Sequence, residues 1–177
     1  IQNASATGNV NGSDEVGGLV GYNSDFDINP DSPIPGLIQN ASASGNVTGS
    51  KNVGGLVGEN VAPLIRNTVA TGTVSGSENV GGLVGRNTEK ITHSFATGAV
   101  VGSKFEDGGL VGSQFGGGVT KSSYWDVQKT GQLTSAGAAV GLTTSEMTGR
   151  AAKTNMTGLN FDSVWQIQPD GYPVLTY

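Results

Sequence analysis

The stretch Ile38-Gln-Asn-Ala-Ser-Ala-Ser-Gly-Asn-Val-Thr-Gly-Ser50, closed by Gly54-Gly-Leu-Val-Gly58, decides the fold because the chain repeats it four times. The copies run Ile1–Asn23, Ile38–Asn60, Ile65–Asn87 and Ile91–Gln114, with His93 and Gln114 as departures from the pattern. Gly18, Gly55, Gly82 and Gly109 mark the same place at intervals of 37, 27 and 27 residues, so the first interval carries an insertion, residues 24–37. A unit this short cannot bury an apolar face alone, and such units stack. Within each copy small or apolar residues alternate with polar ones, as in Ala6-Thr-Gly-Asn-Val10, which is the period of a strand. Glycine every few residues supplies tight turns, either through positive φ or through close backbone approach.

Stacked coils with strands about 4.8 Å apart place Ile1, Ile38, Ile65 and Ile91 in one internal column. Val10, Val47, Val74 and Val100 form a second, and Leu19, Leu56, Leu83 and Leu110 a third. The expected fold is all-β: a parallel β-helix (β-solenoid) of about five coils, each of three short strands, with a degenerate fifth copy from Val119 to about Leu142. Right-handedness is expected from the general preference of parallel crossovers. Outside, Asp14, Lys51, Glu78 and Lys104 alternate in sign along one column, and Glu59 neighbours Arg86 in another. Opposite charges on adjacent strands favour one register.

The glycine-leucine core, Gly17–Gly21, Gly54–Gly58, Gly81–Gly85 and Gly108–Gly112, resembles the GLUG motif. The stretch after the repeats is also similar to the endings of GLUG arrays: Ser123-Tyr-Trp-Asp126, Thr130-Gly131, Gly141-Leu-Thr-Thr144, Met147, Phe161, Trp165 and Tyr172-Pro-Val-Leu175. The resemblance implies a repeat found in large bacterial surface proteins, including adhesins and the non-catalytic parts of IgA-specific metalloendopeptidases. It implies no shared catalytic residues.

Seven of the eleven aromatic residues lie from Phe115 onward. An open solenoid end exposes core and strand edges, so residues 143–177 are expected to be a cap folded over the last coil. Thr143-Thr-Ser-Glu146 starts a short helix reaching about Lys153, and Phe161, Trp165, Tyr172 and Tyr177 cover the end. The other reading of these rings is a carbohydrate-stacking platform. The sequence opens inside a repeat, as expected of a processed protein or a piece of a longer one.

Thirty glycines with 13% charged residues fit neither disorder nor collagen. A net charge of −5 argues against a nucleic-acid partner, and no apolar run is long enough to insert in a membrane. Without cysteine there is neither a disulfide nor a thiolate metal site.

His93, the single histidine, falls in the column of Asn3, Asn40 and Asn67, where side-chain amides can bond along the stack; a ladder position fits it better than a catalytic base. Paired carboxylates of the glycosidase kind need two acids within about 5–10 Å on one face. Glu106-Asp107 is a local pair without an acid at the equivalent Val80. The expectation is therefore no enzyme, but a structural or adhesive module of a secreted or cell-surface bacterial protein. Its partners would be a host or cell-surface protein, a glycan, or a second copy through the solenoid ends. The alternatives are a glycan-binding or glycan-active β-helix and an accessory segment of a surface protease.

The insertion spaces oxygen ligands at alternate positions: Asp25, Asp27, Asn29 and Asp31. That resembles the start of a calcium loop, although Pro30 stands where such loops bend and no closing glutamate comes after it. The competing reading is a solvated acidic loop. Calorimetric titration separates the two: a calcium loop gives heat and a raised Tm, whereas a solvated loop gives neither.

Overall fold

In a computed structural model of the chain, residues 1–25, 36–103 and 106–176 are described. The repeats form a β-solenoid in which every inter-coil pairing is parallel and in register. Each complete coil has four strands rather than three. In the second coil these are Leu37–Ala43, Val47–Thr48, Lys51–Gly54 and Val57–Asn60. The third coil repeats them at Leu64–Ala70, Val74–Ser75, Glu78–Gly81 and Val84–Asn87. The four positions build four sheets, of eight, four, four and four strands. The extra strand is the two-residue one at Val10, Val47, Val74 and Val100, too short to stand out from its flanking turns in the sequence.

The three internal columns are as expected. Ile38, Ile65 and Ile91 are fully buried, as are Leu56, Leu83 and Leu110, whereas Ile1 at the open end is exposed. The coil interior is divided in two. Isoleucine, leucine and alanine columns form one cluster, and Val16, Val53 and Val80 pack with the Val47 column in another. Asp14, Lys51 and Glu78 pair in register, with Lys51 Nζ 3.0 Å from Glu78. Lys104, assigned to the same column, lies outside the described residues.

The repeat glycines are there for closeness and not for left-handed backbone. A β-carbon on Gly54 or Gly81 would stand 2.0 Å from the carbonyl oxygen of Val57 or Val84. One on Gly55 or Gly82 would stand 2.2 Å from a carbonyl oxygen of the following coil. Positive φ falls elsewhere, on two columns of larger residues. Asn3, Asn40, Asn67, His93 and Ser122 lie at φ 49–53°, and Glu15, Asn52, Asn79 and Glu106 at φ 50–57°. Asparagine tolerates this region better than most side chains, and here its amide is also bonded. Asn40 Nδ2 donates to Asn3 Oδ1 at 3.1 Å and Asn67 Nδ2 to Asn40 Oδ1 at 3.0 Å. A further ladder, in the fourth sheet, runs from Asn23 Nδ2 to Asn60 Oδ1 and from Asn60 Nδ2 to Asn87 Oδ1.

The stack has four complete coils, and the fifth contributes only to the first sheet, through Val119–Lys121 and Tyr124–Asp126. A short helix, Val127–Thr130, then leads the chain away. Residues 134–136 return to bond Gly109, Leu110 and Val111, and Val140–Leu142 pairs with Tyr124–Asp126. The end of the interior is plugged by Trp125, which succeeds Ala43, Ala70 and Ala96 in an inward column and lies against Gly109.

The C-terminal segment sits on the flank of the stack instead of over its end. Along the outward side of the first sheet one column reads Ser5, Ser42, Val69, Phe95, Tyr124. Its three large members are the platform on which Met147, Ala152, Met156, Leu159 and Trp165 pack. Two helices, Thr144–Met147 and Gly149–Asn155, stand in place of the single one expected, because Gly149 breaks the run at φ 58°. Glu146 accepts from the Thr143 backbone at 2.8 Å, as the capping signal requires. An antiparallel hairpin, Trp165–Gln168 with Gly171–Leu175, completes the segment. Trp165 is buried 5.1 Å from the Phe95 ring, so it is core and not a stacking platform. Tyr177 lies outside the described residues.

Substitution separates a packed repeat glycine from an open one. Gly55→Ala drives a methyl group into the next coil and lowers unfolding free energy by about 1–3 kcal/mol or more. Gly8→Ala, with no heavy atom within 4 Å of the added carbon, changes it by less than about 0.5 kcal/mol. Urea unfolding followed by tryptophan fluorescence measures both.

Candidate functional site

Of the candidate calcium ligands, Asp25 is exposed just beyond the strand Val20–Asn23, whereas Asp27, Asn29 and Asp31 lie outside the described residues. Among the described residues no three histidine, cysteine, aspartate or glutamate side chains come together as a metal site.

The acids of the repeats meet at the corner between the third and fourth sheets, along a groove of about 490 Å³. Glu59 is buried there with both oxygens engaged. Oε2 accepts from Asn52 Nδ2 at 2.7 Å, and Oε1 pairs with Arg86 of the next coil. Arg86 in turn lies over the Phe115 ring, 5.0 Å from its centre. Leaving the buried Glu59 carboxylate without its partner is costly, so Glu59 works as a register pin. Glu78 is held by Lys51. Glu106 takes a left-handed corner position, while its neighbour Asp107 belongs to the third sheet, in register with Val80. Among the described residues the arrangement joins coils and offers no free carboxylate pair on adjacent coils.

His93 shares its column's left-handed backbone, but the amide ladder stops at Asn67 and does not reach it. Burial, then the charges of Arg66 and Lys90, hold its imidazole below the ordinary histidine range.

Where the last strand leaves the stack, Asp126 ties the parts together. Its Oδ1 accepts from the backbone N–H of Gln128 and Lys129, at 2.8 and 2.9 Å, capping the helix Val127–Thr130. Its Oδ2 accepts from the Tyr172 hydroxyl at 2.5 Å, linking the hairpin to the solenoid. Clefts border the docked segment, and two of them differ in character. One of about 560 Å³ is mostly apolar, between Ser42, Val69 and Phe95 and the strand Gly171–Leu175. The other, about 340 Å³, is polar and lies between the Asn67–His93 corner and residues 158–164. No helix among the described residues is long and apolar enough to cross a membrane.

The family model of the GLUG motif matches residues 12–48, 49–75 and 76–101, half of the sequence. The chain belongs to the GLUG-motif family. A 54-residue stretch, 30% of the chain, is 50% identical to halomucin of the archaeon Haloquadratum walsbyi. The match spans 1% of halomucin's length. No solved structure matches the chain.

In these GLUG repeats the glycine-leucine core forms the tight third-to-fourth-sheet corner, and Asn40, Asn52, Asn67 and Asn79 take left-handed positions within strands of the first and third sheets. Only the Asn3–Asn40–Asn67 ladder was expected from the sequence. The Asn23–Asn60–Asn87 and Asn52–Asn79 ladders were missed, although asparagine recurs at a 27-residue interval in both. Asp126 was missed as well, and its acid-before-helix position is an N-cap signal.

Burial alone would raise the Asp126 carboxyl. Hydrogen bonds from Thr144, Tyr172, Lys129 and Gln128 together outweigh it and hold the group below the usual carboxylate range. A depressed folded pKa adds stability above the unfolded pKa, and that stability is lost as pH falls through the folded one. Asp126→Asn should therefore cost about 1–3 kcal/mol at pH 7. The gap to wild type should close as the pH is lowered past about 4, as read from urea unfolding at a series of pH values.

Proposed function

We propose that this chain is a non-catalytic structural module of an extracellular surface protein, a stiff spacer that also offers a contact surface. The observation that carries the reading is how the repeated polar side chains are used. Asn3, Asn40 and Asn67, Asn23, Asn60 and Asn87, and Asn52 and Asn79 bond along the stack to one another. Glu59 and Arg86 do the same. Side chains repeated in register and bonded coil to coil favour stiffness over chemistry. Membership in the GLUG-motif family and the halomucin match support an extracellular setting. The small share of halomucin involved suits a module within a much longer chain.

A second reading, a glycan-binding β-helix, draws on the polar cleft beside the docked C-terminal segment.

The test has two arms. Incubation with a panel of polysaccharides and unfolded proteins should release no new reducing ends or amino termini above the blank. Pulling the chain from its two ends in a force spectrometer should give coil-by-coil rupture at high force. Turnover on any substrate, or extension without a force peak, would overturn the module reading.

A further inference from the structure

The polar cleft beside the C-terminal segment has a chemistry unlike the rest of the molecule. The chain carries a net charge of −5, yet this cleft is lined by Arg66, Lys90, His93 and Asn160 and by no carboxylate. Thr92 is in register with Arg66 and Lys90 with Leu64 on adjacent coils, and Lys90 and His93 line the same cleft as Arg66.

The donors are also aimed. Arg66 gives Nε and Nη2 to Gln39 Oε1, at 3.0 and 2.6 Å, which orients the guanidinium and leaves its other N–H groups available. Asn160 Oδ1 is used up by the backbone N–H of Asp162 and Ser163, at 3.0 and 3.1 Å. Its Nδ2 is thus the free end of the amide. The charges that depress the His93 imidazole are both cationic, Arg66 and Lys90, with no acid acting against them.

We propose that this cleft binds the carboxylate group of an acidic saccharide. Arginine matches the planar fork of a carboxylate with paired hydrogen bonds, and lysine and the Asn160 amide add donors from other elements. The cleft offers more than an anion needs. Leu64 and Val164 give it an apolar wall. Asn67 Oδ1, left facing His93 where the ladder stops, is an acceptor that a sugar hydroxyl can satisfy. A volume of about 340 Å³ lies at the small end of the roughly 300–1,000 Å³ of ligand pockets, the scale of one or two sugar rings. Only the choice of a glycan as source rests on the extracellular reading above; the anion chemistry stands on the cleft itself.

Because His93 is the single histidine, its imidazole carbon-proton signals report on the cleft without assignment. They would be followed while the whole chain is titrated, at constant ionic strength, with a galacturonate trisaccharide, a neutral galactose trisaccharide, sodium sulfate and a glutamate-rich peptide. The uronate trisaccharide should shift the His93 signals saturably and the neutral one should not. Arg66→Gln combined with Lys90→Gln should weaken binding at least tenfold. Asn160→Asp should do likewise, since it keeps the Oδ1 that its turn needs and replaces the donor with an anionic oxygen. Unchanged unfolding midpoints would show that both variants are folded.

No saturable shift with the uronate, or an equal one with the neutral sugar, would overturn the proposal. Saturation by sulfate alone would mean a free oxyanion, and saturation by the peptide alone a protein partner; either overturns the saccharide assignment. A failed titration leaves the spacer reading standing, whereas turnover on polysaccharides would sink that reading and not this one.

Discussion

Where Gly18, Gly55 and Gly82 turn the corner, the carbonyl oxygen of the next coil lies only 2.2–2.4 Å from the point at which a β-carbon would stand. No other residue can occupy that point without pushing the coils apart. The constraint fixes the contact between coils, and the contact fixes register in all four sheets at once. Register then makes columns of like residues, and columns are what allow isoleucine to stack on isoleucine and asparagine to bond asparagine. A slip by one residue would turn every inward side chain outward. It would also unmake the Glu59–Arg86 pair and the amide ladders, so the polar columns guard the same register that the glycines impose.

Much of this was legible in the sequence, and the reason is repetition. Ile38, Ile65 and Ile91 could be placed in one column because three copies said the same thing. Four strands per coil could not be read, because a two-residue strand such as Val47–Thr48 looks like part of its turns. The use of glycine was read only to a choice of two. Within the repeats, Asn3, Asn40, Asn67, Asn52 and Asn79 took left-handed positions where no glycine did, since an amide there both tolerates the backbone and bonds its neighbour.

Legibility fell away where the repeats stop. The aromatic residues after Phe115 do form a core, but it lies on the flank, because Val69, Phe95 and Tyr124 turn outward where the earlier coils carry Ser5 and Ser42. That change is visible as three residues in one column, but only once the column is known to face out. The polar cleft depends on this lateral docking as well. Its two sides come from Arg66–His93 and from residues near Asn160, far apart in the chain. Only the site that closes within the repeats, around Glu59 and Arg86, could be foreseen.

The inward column of alanines ending in Trp125 has a consequence for length. Each coil before it hands the same inward alanine to the next, so a coil added on the side away from Val69 and Phe95 would extend the core without disturbing the docked segment. Each such addition would change the rod by one step of about 4.8 Å, while Trp125 and the segment beyond it travel unchanged at the far end. A rod assembled this way carries a ruler graduated in coils, whose reach can be reset in single, predictable increments.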